Sequence, residues 1–136
     1  MQSAMNEAPS SHIRVIDSAT GCPEIPIVEG EGNAKVVLSP HNGGLFRSFQ
    51  LISLMGNART ISLRHAASNC VYYIIEGTGR IVDEAEGVRI DVAEGHMLHI
   101  DAGDSYRIEA GGHGIKVVGG PCPADDSLYA GMTPGG

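Results

Sequence analysis

His65 is the side chain in this sequence best able to do chemistry. A neutral imidazole near pH 7 can act as a general base or ligate a metal, and a buried histidine that is simply hydrogen-bonded is the plainer alternative. Tyr106 could donate a hydrogen bond to a developing oxyanion, or fill a core with its hydroxyl satisfied. Cys70 has no Lys or Arg near it in sequence to lower its thiol pKa, so it reads as a small buried hydrophobe before it reads as a nucleophile. His96 and His99 are separated by an odd number of steps, which places them on opposite faces of a strand, and they cannot clamp one ion together. His41 sits in the turn Ser39-Pro40-His41-Asn42-Gly43-Gly44, and His12 and His113 read as solvated. Arg64 should face outward beside His65. Arg47 could hold a carboxylate inside, with an outer-face salt bridge favoured. No nucleophile elbow occurs, and Gly77-Thr78-Gly79 is too short for a phosphate loop.

These residues lie on short, evenly spaced apolar runs separated by turn residues. Strands are expected at residues 13–16, 35–38, 46–54, 59–65, 70–75, 80–83, 88–92, 96–100, 105–109 and 115–118. Turns are expected at 76–79, 84–87 and 110–114. The pattern predicts an antiparallel all-β sandwich or barrel with no helix longer than a turn or two. Three parts follow: a loose tail over residues 1–12, a barrel over 13–118, and an extension over 119–136 that is either packed on the barrel or loose. Tyr129 is a candidate plug for the barrel mouth. Alternation puts Leu63 inside with His65, Tyr72 and Ile74 inside with Cys70, Ile108 inside with Tyr106, and Leu98 inside with His96. The expected cavity is mostly apolar with a few fixed polar groups, which describes a small-molecule site.

The totals narrow the partners. The 136 residues suffice for one domain, 42% of them are hydrophobic, and the 19 glycines suit many tight turns. A net charge of −7, with 16 acidic against 9 basic residues and no basic cluster, disfavours nucleic acid and anionic membrane surfaces. Three widely spaced cysteines suggest neither a disulfide framework nor a zinc knuckle, and reduced thiols in a cytoplasmic protein are the simpler expectation. No signal peptide or apolar run of membrane length is visible.

The stretch from Asn57 to Glu109 resembles the cupin signature, whose first motif is Gly, five residues, His-x-His, three or four residues, Glu, six residues, Gly. Val71-Tyr72-Tyr73-Ile74-Ile75-Glu76-Gly77-Thr78-Gly79 resembles its end. Counting back places Cys70 at the motif's Glu, His65 at its second His and Leu63 at its first. The second motif begins at Gly95, has Asp101-Ala102-Gly103 for Pro-x-Gly, and puts Tyr106 at its last His. This second stretch is similar to that of ectoine synthase, an iron-dependent lyase that closes a small ring by losing water. The polyketide-cyclase cupins are a broader analogy. The resemblance implies a double-stranded β-helix (jelly roll) holding a divalent iron, manganese, zinc or nickel ion. Of the four ligand positions only His65 is of the expected type.

Three functions follow as expectations. The first is a small-molecule lyase, isomerase or cyclase, with His65 as base or metal ligand, Tyr106 as proton donor, and Cys70, Tyr72, His96, Leu63 and Leu98 contacting substrate. A metal-dependent dioxygenase is a variant of it. The second is a metal-free cupin that binds a small ligand without chemistry. The third is an interaction protein whose barrel is filled. A homodimer is expected, with residues 13–16 and 35–38 at its interface.

Overall fold

A computed structural model describes residues 13–134; the expectation for the tail 1–12, His12 included, lies outside them. The described chain forms β1 (Val28–Glu29), β2 (Gly32–Leu38), β3 (Phe49–Leu54), β4 (Arg59–Thr60), β5 (Leu63–Arg64), β6 (Asn69–Asp83), β7 (Val88–Ala93), β8 (Met97–Ile100) and β9 (Ser105–Cys122). Short 3-10 turns occupy Pro40–Asn42 and Asp126–Tyr129. All strand pairings are antiparallel. The result is the expected all-β architecture, a nearly closed barrel.

Two long strands organise it. The first half of β6 pairs with β8 from Cys70↔Ile100 to Tyr73↔Met97, and its second half pairs with β7 from Thr78↔Ala93 to Asp83↔Val88. Strand β9 runs beside β6 along both halves and carries β3, β4 and β5 on its other edge. Each long strand thus belongs to two facing layers: β2-β3-β9-β6-β8 on one side, and β1-β4-β9-β6-β7 with β5 on the other.

The turns expected at 76–79 and 110–114 are therefore corners inside continuous strands. Register shifts between Ile74 and Glu76 and between Gly77 and Gly79 mark the bend in β6. Gly77 has φ 86°, and a Cβ there would collide with the Gly114 carbonyl across the corner. Glycine lets the strand bulge and turn while its pairing continues, which a sequence pattern read as punctuation does not reveal. Asn57, at the first glycine position of the cupin signature, also takes a positive φ of 65°.

Residues 13–16 form no strand, contrary to expectation. The edge of β2 is not free either: Ile25 N donates to Ala34 O and Val36 N donates to Pro23 O. The chain beyond β9 turns back over the barrel. Leu128 and Tyr129 are buried in the core, and Glu24 and Thr133 exchange backbone hydrogen bonds of 3.0 and 2.8 Å. Among the described residues no helix is long and apolar enough to cross a membrane.

Candidate functional site

Alternation along the strands delivers the polar side chains to the barrel interior. Leu63 faces Tyr106 across the β5–β9 ladder, and His65 follows two residues later on the same buried face. Between them Arg64 points out and donates from Nε to Gly103 O. Cys70 and Tyr72 enter from the first half of β6, and both are fully buried, as is Tyr106.

These side chains form one hydrogen-bonded chain. His65 Nδ1 lies 2.7 Å from Asp125 Oδ2, and its Nε2 lies 2.8 Å from the Tyr106 hydroxyl. The Tyr72 hydroxyl lies 2.8 Å from that of Tyr106, and Cys70 Sγ lies 3.7 Å from it. Burial pushes the Asp125 carboxyl up, but hydrogen bonds from His65 and Ser127 outweigh it and leave the group below its ordinary value, hence ionised. An ionised carboxylate only accepts, so His65 Nδ1 carries the proton and donates it. Burial, then the charges that Tyr72 and Cys70 would carry, hold Tyr106 far above the usual phenol range. Burial does the same at Tyr72. With both phenols protonated, one arrangement satisfies every group: Tyr72 donates to Tyr106, Tyr106 donates to His65 Nε2, and His65 donates to Asp125.

Two cavities flank this chain. A cleft of about 460 Å³ opens at the β7–β8 edge; its apolar lining includes Ile81, Ile90, Val92 and Leu98, and it reaches Tyr106. Asp83, Asp91, Asp104 and His99 are also on its walls, which disfavours an anionic occupant. A groove of about 330 Å³ on the other side is lined by Leu63, His65, Asp125 and Leu128.

The cupin metal positions do not fit a metal centre. Leu63 offers no donor atom, and both nitrogens of His65 are engaged. Burial pushes the Cys70 thiol up to about 11, against hydrogen bonds from Tyr72 and Tyr106, so a thiolate ligand is not available near neutral pH. Tyr106 is likewise held as a phenol. Among the described residues no three His, Cys, Asp or Glu side chains are grouped as a metal would require.

Of the residues singled out from sequence, His65, Tyr106, Tyr72 and Cys70 come together, with Leu63 and Leu98 buried near them. His96 does not join them. It is exposed in the turn before β8, where its Nδ1 accepts from Ala93 N, and it reaches only the rim of the cleft. The alternation that placed it beside Leu98 fails because the strand starts at Met97. Asp125 was not singled out, since the proline- and glycine-rich extension carries no periodicity. Its local signal is a capping one: its carboxylate accepts from Ser127 N at the start of the 3-10 turn.

No protein-family model and no curated protein sequence matches the chain. Solved structures do. A predicted oxalate decarboxylase from Thermotoga maritima aligns with a TM-score of 0.69 at 22% identity, over 81% of this chain and 99% of its own. The polyketide cyclase RemF from Streptomyces resistomycificus aligns at 0.69 and 16% identity, over 81% and 79% of the two chains. An RmlC-like cupin from Shewanella frigidimarina aligns at 0.64 and 18% identity, over 87% and 96%. Identities this low speak to the architecture, and together with the barrel described above they show that the chain has the fold of the cupin superfamily.

Proposed function

We propose that this protein is a metal-free acid–base enzyme, a lyase, isomerase or cyclase, acting on a small, largely apolar, non-anionic molecule. The observation that carries the reading is the relay Asp125–His65–Tyr106, with contacts of 2.7 and 2.8 Å. Asp125 fixes the imidazole tautomer; as the Tyr106 oxygen accepts a proton from substrate its own proton passes to His65 Nε2, the resulting imidazolium is stabilised by the carboxylate, and the return of that proton to Tyr106 lets the phenol deliver one to the product. Tyr106 is the member of the relay that lines the apolar cleft. A phenol held far above its usual pKa is a poor acid in isolation, and the adjoining imidazole and the Tyr72 hydroxyl are what make proton transfer at its oxygen accessible. The three free cysteines accord with a cytoplasmic setting.

A second reading has its own support. Every member of the relay is already hydrogen-bonded within the protein, which also suits a barrel that binds a ligand without chemistry. Solvent-deuterium incorporation separates the two. The protein is incubated in D₂O with a panel of small enolisable aryl ketones and followed by mass spectrometry. Exchange above the buffer rate in the parent, lost in His65→Gln and Tyr106→Phe, supports the enzyme. Compounds that raise the melting temperature without any exchange leave the binding protein.

A further inference from the structure

The inner face of the β2-β3-β9-β6-β8 layer holds a buried polar patch, Ser48 and Gln50, that the relay does not use. Reading across the ladders, one row runs Val36, Gln50, Gly119, Tyr72, Leu98. Gly119 leaves the middle of this row without a side chain, and a Cβ there would collide with the Val71 carbonyl. Gln50 and Tyr72 thus flank a bare strip of backbone, their Cα atoms two strand spacings, about 10 Å, apart. Ser48 lies on the same face one step nearer the barrel end, its hydroxyl donating to Pro121 O at 2.9 Å.

Tyr129 covers this space. Its hydroxyl is near enough to Ser48 and Gln50 that both oppose the rise in its pKa that burial causes. Even so, no hydrogen bond of sound geometry forms. Gln50 Nε2, Gln50 Oε1 and the Tyr129 hydroxyl are all buried without a partner, and Gln50 is only 1% exposed. A buried carboxamide offering two donors and an acceptor to nothing costs stability, and most native buried polar groups avoid that condition. On its outer side the Tyr129 ring meets His41 edge-on, with centroids 5.7 Å apart.

The geometry points to a ligand subsite here: the Gln50 amide, with Ser48 beside it and the Gly119-Gly120 backbone as floor, where a Cβ on Gly120 would collide with Gln50 Oε1 and Ser48 Oγ, binds the hydroxyl or amide end of a neutral aromatic or enolic ring, which displaces the Tyr129 phenol. The phenol marks the shape that fits, a flat ring with one polar tip. The carboxamide sets the chemistry, because a hydroxyl or amide on a ring free to adjust its position can donate to Oε1 and accept from Nε2, which the Tyr129 phenol, held by its backbone, does not do. Besides burial, the Asp125 and Asp126 carboxylates raise the Tyr129 pKa; they are the charges that act at this position, so a neutral ring is favoured over an anion. The assignment rests on the reading of the barrel as a small-molecule site but not on the acid–base step.

The test uses Tyr129→Gly, which removes the phenol, with p-cresol and toluene as probes and melting temperature as the readout. Stabilisation by p-cresol at about tenfold lower concentration than by toluene is expected, the worth of one or two hydrogen bonds, with the preference abolished by adding Gln50→Leu. Equal effects of the two probes, or none in a variant that retains the parent's circular dichroism, overturn the subsite. If Tyr129→Gly does not fold, Tyr129→Phe and Gln50→Leu ask the same question of the intact barrel. Each is expected to leave the melting temperature unchanged or raise it. A fall of several degrees in Gln50→Leu would show that the amide is already satisfied, by ordered water or otherwise, and would overturn the proposal. Because the readout is binding and stability, failure here leaves the deuterium-exchange result to stand or fall separately.

Discussion

At the scale of single residues, burial decides which groups are reactive. Cys70 is fully buried with its thiol pushed up to about 11; Cys22 is buried and Cys122 exposed. The native protein is therefore expected to give one fast equivalent with Ellman's reagent, from Cys122, and the other two only on denaturation. A fast reaction that survives Cys122→Ser would contradict this. Asp125 yields a pH prediction. Its folded pKa lies below the ordinary 3.8, so its stabilising effect is complete above that value and is lost as pH falls through the folded one. Urea midpoints for the parent and Asp125→Asn should differ most where the carboxylate is fully ionised and draw together as pH falls below 3.8. Tyr106→Phe leaves Tyr72 and His65 Nε2 each short of a partner and is expected to cost roughly 1–3 kcal/mol, measured the same way. The strand half of this site was legible, because a period of two put His65, Cys70, Tyr72 and Tyr106 on one side of the sheet. Asp125 and Gln50 were not, since one stands in an aperiodic tail and the other looks like an ordinary polar strand residue until its burial is known.

At the scale of elements, the positions of the strands were legible from the apolar runs, whereas their continuity was not. Glu76-Gly77-Thr78-Gly79 has the composition of a turn and lies inside β6, and residues 110–114 lie inside β9. What distinguishes a corner from a turn is whether a partner strand continues alongside, and that is a tertiary property. The corner holds β8 and β7 end to end along β6, and so fixes the distance between Cys70 at one end and Asp83, opposite Tyr106, at the other. Gly77→Ala forces a positive φ on a side chain and drives a Cβ into the Gly114 carbonyl. A loss of at least about 1–3 kcal/mol is expected from the backbone conformation alone. Gly87→Ala is the control, with φ 70° and nothing near its Cβ; it should cost only the conformational part. Equal urea midpoints for the two variants would mean that the corner relaxes freely.

At the scale of the whole molecule, the outer face of the β2-β3-β9-β6-β8 layer stands apart from the rest of an acidic protein. Register brings Leu51, Val118, Tyr73 and Met97 into one row, with Val71 and Phe49 beside them. Phe49, Val71, Tyr73, Ile75 and Met97 are all substantially exposed, and part of the face forms an apolar groove. Its charged residues include Lys35, Lys116, Glu76 and Arg47, the last lining the groove, so a chain of net charge −7 carries almost none of its excess acid here. Two copies that repel elsewhere can therefore approach through this face, and apolar area of this extent is uncommon on a monomer. We propose it as the homodimer surface, in place of the N-terminal edge expected from sequence, where residues 13–16 form no strand and β2 is already covered. The parent is expected to elute as a dimer in light-scattering chromatography at micromolar concentration. Tyr73→Glu with Met97→Glu should elute as a monomer with unchanged circular dichroism, because both side chains point away from the core and their loss leaves the barrel packing intact. A parent that is monomeric at that concentration, or a double variant that stays dimeric, would remove this face from consideration. The second result would shift attention to the β7–β8 edge, whose outer backbone is paired to no other strand among the described residues.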